Sequence, residues 1–238
     1  MSRRVSIPTH HRVGPVAAFG LTLALALTAT LAVSASAHAA ATLFVNRPCY
    51  VITKTVPSMT ITGSGYVPNS HVLITSTANV DKSTTATATG TITAKLTAPA
   101  PHFSAPSVKT FTFTAKDENT SPAIVASSPV RVAPLGALHG STPKAPGLKA
   151  LGETTDWSFS GFTPGQTIYA HYTIQGQQVA SQAFGTARGA CGTLHVRAPL
   201  YPAVPHHASY PVQFDGAKSY SPKTAPKLAG RVSLNASF

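Results

Sequence analysis

Met59-Thr60-Ile61-Thr62-Gly63-Ser64-Gly65-Tyr66-Val67-Pro68-Asn69-Ser70-His71-Val72-Leu73-Ile74 describes two short strands joined by a tight turn. Apolar side chains alternate through Met59 and Ile61, and again through Val72 and Ile74. That period of two marks strands with one face hidden. Pro68 presets φ at the first turn corner, and Asn69 tolerates positive φ at the second. The same plan recurs in Trp157-Ser158-Phe159-Ser160-Gly161-Phe162-Thr163-Pro164-Gly165-Gln166-Thr167-Ile168-Tyr169-Ala170. There Gly161-Phe162-x-Pro164-Gly165 replaces Gly65-Tyr66-x-Pro68-Asn69. Tyr66 and Phe162 are expected to fold inward as large core plugs.

Outward from this turn the repetition continues. Gly90-Thr91-Ile92-Thr93-Ala94-Lys95, ending at Ala98-Pro99, matches Gly192-Thr193-Leu194-His195-Val196-Arg197-Ala198-Pro199. The second pair is spaced a little further apart than the first, which places a short insertion in a loop within 175–189. Lys109-Thr110-Phe111-Thr112-Phe113-Thr114-Ala115 resembles Ser209-Tyr210-Pro211-Val212-Gln213-Phe214 more loosely. Closing strands follow at Val130-Arg131-Val132 and Arg231-Val232-Ser233. Short strands, high Thr and Val, and little helical periodicity predict an all-β chain of two sandwiches. The expected boundaries are 41–134 for the first, 135–146 for a linker interrupted by Gly and Pro, and 147–238 for the second.

Residues 1–40 are set apart as a signal peptide. Arg3, Arg4 and Arg12 make a basic start, an uncharged apolar run follows from Val16 to Val33, and Ala37-His38-Ala39 fits a small-x-small cleavage site. Arg3-Arg4 hints at a twin-arginine route, but Val5-Ser6-Ile7 continues it poorly. After cleavage no stable membrane span is expected. The roughly 200 residues left can bury two modest cores. The chain has a formal charge of +12 because acids are scarce, with 6 Asp and Glu against 18 Lys and Arg. Such an excess draws polyanions. No dense basic cluster interleaves with aromatics, so no specific nucleic-acid partner is expected.

Cys49 and Cys191 fall one in each half of an exported chain, where thiols tend to oxidise. An interdomain disulfide is one reading, with about 4–5 kcal/mol of loop-closure stabilisation if the geometry permits it. Two buried thiols, or pairing between molecules, are the others.

The Gly-aromatic-x-Pro-Gly/Asn turn followed by a Gly-Thr-apolar strand resembles the tandem immunoglobulin-like modules of secreted, actinobacterial-type bacterial surface proteins. The resemblance implies two consecutive immunoglobulin-like β-sandwiches over about 43–234. It implies adhesive, spacer or carbohydrate-associated roles. Asn69 stands where glycine is more frequent, and the Cys…Trp…Cys spacing of antibody domains is absent.

Chemistry is sparse. Asp117-Glu118 reads as a solvated turn and Asp215, before Gly216, as a hairpin residue, and no pair of acids is spaced across an evident cleft. No Gly-x-Ser-x-Gly or His-Glu-x-x-His pattern occurs. Cys191 and His195 sit about 13 Å apart along a strand, too far for proton transfer. No catalytic, cofactor-binding or metal residues are assigned and no cofactor is expected. His206-His207, with His102, remain a weak metal-binding alternative to exposed loop residues. The expected function is non-catalytic: an extracellular binding or structural module. Its partner would be an anionic envelope polymer or another surface protein. The contacts would come from loops at 99–108 and 199–209, with His102, Phe103, Tyr201, His206 and His207 as contact candidates. The alternative is a secreted hydrolase or metal-dependent enzyme on the same scaffold.

Overall fold

The computed structural model describes residues 40–140, 154–201 and 209–233. The expected signal peptide, together with His206 and His207, lies outside these residues apart from Ala40. Among the described residues every regular element is a β-strand. No helix there is long and apolar enough to cross a membrane.

The first half contributes β1 (Thr42–Val45), β2 (Tyr50–Ile52), β3 (Ser58–Ser64), β4 (His71–Ser76), β5 (Lys82–Thr85), β6 (Ile92–Thr97), β7 (Lys109–Asp117) and β8 (Val125–Pro134). They form sheets ordered β1-β3-β6 and β2-β8-β7-β4-β5. All neighbours are antiparallel except β2, which runs parallel to β8 with Tyr50 opposite Val132. The second half contributes β9 (Gly136–His139), β10 (Thr154–Ser160), β11 (Thr167–Ile174), β12 (Gln177–Thr186), β13 (Leu194–Pro199), β14 (Ser209–Asp215) and β15 (Lys227–Ser233). Its sheets run β13-β10-β9 and β12-β11-β14-β15. Both halves are immunoglobulin-like sandwiches, since in each the first strand joins the smaller sheet and the closing strand joins the larger.

The alternation read from the sequence is what fills the cores. Met59 and Ile61 of β3 and Ile92 of β6 meet Val72 and Ile74 of β4, Phe113 of β7 and Val130 of β8, all buried. In the second sandwich Trp157, Phe159, Phe184 and Phe214 form one aromatic cluster with centroid separations of 4.8–6.2 Å. Each such side chain removed from water is worth about 1.5–3 kcal/mol. Tyr66 and Phe162 are buried at matching places.

The repeat extends to individual hydrogen bonds. The Tyr66 N–H donates to the Gly90 carbonyl at 3.2 Å, and the Phe162 N–H to the Gly192 carbonyl at 3.3 Å. Gly65 and Gly161 have φ of 87° and 82°, while Asn69 and Gly165 have 61° and 83°. The positive-φ sites assigned to the turn corners are therefore present in both copies.

Two local expectations change. The extra residues of the second copy do not form a loop. They lengthen the third hairpin, so that β12 pairs with β11 from Thr186 to Gln177 around a turn at Gln175 and Gly176. Gly136–His139, expected in the linker, is a strand pairing with β10, from Gly136 opposite Ser160 to His139 opposite Trp157. Small residues and a nearby proline suggested a break in the ladder, but an edge position tolerates both. Only Leu135 separates β8 from β9.

The sandwiches meet at Leu135. Its N–H donates to the Ile52 carbonyl at 3.0 Å, and the Ser160 hydroxyl donates to the Pro134 carbonyl at 2.7 Å. A Cβ on Gly161 would stand 2.7 Å from the Pro134 oxygen and 2.8 Å from Val51. Here glycine is required both by its φ and by the approach of the neighbouring sandwich. Cys49 and Cys191 form a disulfide with their Cα atoms 5.3 Å apart, across 142 residues of sequence.

Candidate functional site

The described parts of the two loops expected to make contacts lie at different ends of the fold. In the first sandwich, Lys109 opposite Val132 lies at the end of β8 that enters the joint. The 99–108 loop therefore sits beside the second sandwich. Phe103 and Pro106 from this loop and Pro134, Ala137 and Leu138 from the joint line a shallow depression of about 220 Å³. His102 is exposed, and its carbonyl accepts from the Lys109 ammonium at 2.9 Å. Phe103 packs partly against the first core, with the same ammonium 5.4 Å from its ring centroid. In the second sandwich Pro199 pairs with Thr154, at the end of β10 away from Gly136 and Ser160. This places Pro199, and Tyr201 shortly after it, at the far end. Tyr201 therefore does not join His102 and Phe103 on one patch, and His206 and His207 lie outside the described residues. Tyr201 needs correction as an exposed contact: it is 7% exposed, stacked on Tyr210 at 4.5 Å and edge-on to Tyr172 at 4.8 Å.

Two carboxylates, Asp117 read as a solvated turn residue and Asp215 read as a hairpin residue, are wholly buried. Asp117 ends β7 and points inward, as Phe113 and Ala115 do. Its Oδ2 accepts from the Ser70 hydroxyl at 2.6 Å and the Val67 N–H at 3.1 Å, and its Oδ1 from the Asn119 N–H at 3.0 Å. Burial pushes this carboxyl up, but the three donors together outweigh it and hold the pKa below the usual aspartate value.

Asp215 ends β14 on the opposite, outer face of its sheet. Its Oδ1 accepts from the Ala217 N–H at 2.8 Å, and Gln213 Nε2 donates to its Oδ2. His171 Nε2 lies 3.3 Å from Asp215 Oδ1 and 3.0 Å from the Ala217 carbonyl. The other ring nitrogen is 3.0 Å from the Gln178 amide oxygen. His171, Gln213 and Asp215 are shielded by the connection between β14 and β15, which returns over the sheet. Nothing in the alternation of β14 reports this, because an outer-face residue is expected to meet water. The pairing of Tyr169 with Asp215 and of His171 with Gln213 emerges only from the sheet register.

These withdrawals shape the surface charge. Every Lys and Arg among the described residues is exposed. Of the described acids, Asp117 and Asp215 are buried, and Asp156 lies 3.9 Å from Arg197. Asp81 and Glu118 are the remaining exposed carboxylates among these residues.

The nearest approach to catalytic geometry is Ser158 Oγ, 3.0 Å from His195 Nδ1. The pair sits on the open outer face of the β13-β10-β9 sheet. Neighbouring backbone N–H groups there belong to the strand ladder, whereas an oxyanion site needs converging free donors. No group of three His, Cys, Asp or Glu side chains converges among the described residues.

No protein-family model and no curated protein matches the chain. Solved structures with partial likeness include a tetra-tandem repeat from the extending region of a large adhesion protein, at 16% identity and a TM-score of 0.27. That match covers 82% of this chain and 49% of the other, so the chain spans about half its length. A structure from a 1.5-MDa bacterial ice-binding adhesin matches at 11% identity and a TM-score of 0.31, covering 82% of this chain and 64% of that one. The periplasmic chaperone SfaE matches at 12% identity and a TM-score of 0.28, covering 82% and 100%. Likeness at this level carries nothing about function.

Proposed function

We propose that this chain is a non-catalytic extracellular module that binds an anionic polymer of the cell envelope, using the two sandwiches as a joined scaffold. The observation that carries the reading is the disposition of charge. All described Lys and Arg side chains reach solvent, while the fold takes two of the few carboxylates out of it. The surface is therefore more cationic than the composition alone suggests, and such a field favours polyanionic partners. The disulfide supports an oxidising, extracellular setting.

The test is retention of the purified, oxidised protein on immobilised dextran sulfate and on neutral dextran, across a salt gradient. Retention on the sulfated matrix alone, released as salt screens exposed charges, is expected. Equal elution from both matrices, or retention indifferent to salt, would remove the reading.

A further inference from the structure

The outer face of the β12-β11-β14-β15 sheet differs from its counterpart in the first sandwich. In the first, the connection from β7 to β8 is short and lysine-free, running Glu118-Asn119-Thr120-Ser121-Pro122-Ala123-Ile124. In the second, β14 and β15 are joined by Gly216-Ala217-Lys218-Ser219-Tyr220-Ser221-Pro222-Lys223-Thr224-Ala225-Pro226. This longer connection folds back onto the sheet. The Ala217 carbonyl meets His171, the Ser221 carbonyl accepts from Gln213 Nε2 at 2.8 Å, and the Tyr220 ring lies 5.8 Å from the His171 ring.

The polar residues beneath it occupy a place where apolar ones would pack at lower desolvation cost. What they supply is a fixed connection, because His171, Gln213 and Asp215 each tie a backbone carbonyl or N–H of the loop to the sheet. The backbone that carries the cations is consequently held in place. Lys218 and Lys223 project from the pinned connection, and Lys227 stands opposite Asp215 in β15 with its ammonium on the Pro222 carbonyl. Arg231 lies opposite Pro211 on the same outer face. All four are exposed. Among the described residues the carboxylate beside this group, Asp215, is buried and already accepts from Ala217 and Gln213. Tyr169 and Tyr220 border this group and leave part of each ring at the surface.

We infer that this face is a binding surface for an acidic polysaccharide. Lys218, Lys223, Lys227 and Arg231 would meet its carboxylate or phosphate groups, and Tyr169 and Tyr220 would stack on its sugar rings. A pinned connection loses little backbone freedom on binding, which favours affinity. Aromatic faces add selectivity for a ringed polymer over a simple polyanion. The inference rests on the polymer-binding reading above and assigns it a place.

The experiment measures binding of the oxidised protein to four probes: polygalacturonate, a purified teichoic acid, polyglutamate and dextran. The variants are K218E/K223E, Tyr220→Leu, and K82E/K116E, which makes the same charge change on the first sandwich. The wild type is expected to bind the two acidic glycans above polyglutamate and not to bind dextran. The better glycan then distinguishes carboxylate from phosphate recognition. K218E/K223E should weaken glycan binding about tenfold and flatten its salt dependence, while K82E/K116E stays within about twofold of wild type. Tyr220→Leu keeps bulk over His171 and should reduce the preference for glycan over polyglutamate. Equal losses in the two double variants would overturn the site while leaving polymer binding intact. Equal wild-type affinity for polyglutamate and the glycans would overturn recognition of the sugar. Failure to bind any anionic probe would overturn the proposed function as well.

Discussion

Gly192 passes beneath Phe162 so closely that a Cβ on it would lie 1.7 Å from the Phe162 carbonyl oxygen. Gly90 stands under Tyr66 in the same way, with a Cβ position 2.2 Å from the Tyr66 oxygen. Both glycines also have positive φ, 55° and 70°. The strand following each glycine crosses the aromatic turn, and the turn can close only where the crossing residue lacks a side chain. Gly192→Ala is expected to cost about 2–4 kcal/mol, combining left-handed backbone strain with a clash against backbone. Gly90→Ala should cost a similar amount. Urea midpoints unchanged from wild type would show that the crossing relaxes freely.

The disulfide ties this same turn region to the first sandwich, since Cys191 immediately precedes Gly192. Its closed loop is long enough that chain entropy predicts about 5 kcal/mol of stabilisation. Replacing both cysteines with serine should lower the urea midpoint and leave the far-ultraviolet spectrum that of β-sheet, because each core is complete without the bridge. The oxidised wild type should show no free thiol on intact-mass analysis after alkylation. Identical unfolding curves with and without reductant would mean that the bridge adds no stability to the folded chain.

What was readable in the sequence was local. Pro68 with Asn69 and Pro164 with Gly165 announced their turns, and Met59, Ile61, Trp157 and Phe159 announced buried strand faces, because turn chemistry and period-two alternation act over a few residues. Less accessible was anything decided by a segment returning from elsewhere. Asp215 alternates with buried Phe214 and so belongs on the outer face, yet the 216–226 connection covers it. His171 looks unremarkable until Gln213 and Asp215 are placed beside it by register. Tyr201 follows a Pro-terminated strand and invited a surface assignment, but Tyr172 and Tyr210 make a slot for its ring at the end of the sandwich. The β8-to-β9 passage was obscured differently: Pro134 and Gly136 are ordinary loop residues, and only their pairing with Ile52 and Ser160 makes them strand.

Asp117 provides a pH-dependent test of the first core. Its pKa in the folded chain lies below the usual aspartate value of 3.8, so the stability it contributes is present above that pH and is lost as pH falls through the folded value. Wild-type urea midpoints should therefore decline on acidification in that range. Asp117→Asn should shallow the decline. At neutral pH the same variant should cost about 2–3 kcal/mol, because an amide cannot accept from Ser70, Val67 and Asn119 together. An acid limb identical in the variant and wild type would assign the loss to other carboxylates.

Tyr66 gives the opposite sign at the other end of the pH scale. Its ring is buried, and its hydroxyl has no hydrogen-bond partner among the described residues. Burial, and secondarily the nearby negative charge of Asp117, push its pKa from 10.0 up to about 12. A raised pKa means that the folded state favours the neutral phenol. That contribution is full below pH 10.0 and disappears as pH rises to about 12. Tyr66→Phe removes both the ionisable group and an unpaired buried hydroxyl while retaining the ring that fills the turn. It is expected to raise stability at neutral pH by about 1–2 kcal/mol and to flatten the alkaline decline. A loss of stability on Tyr66→Phe would show instead that the hydroxyl is hydrogen-bonded in solution, so that its burial stabilises the turn.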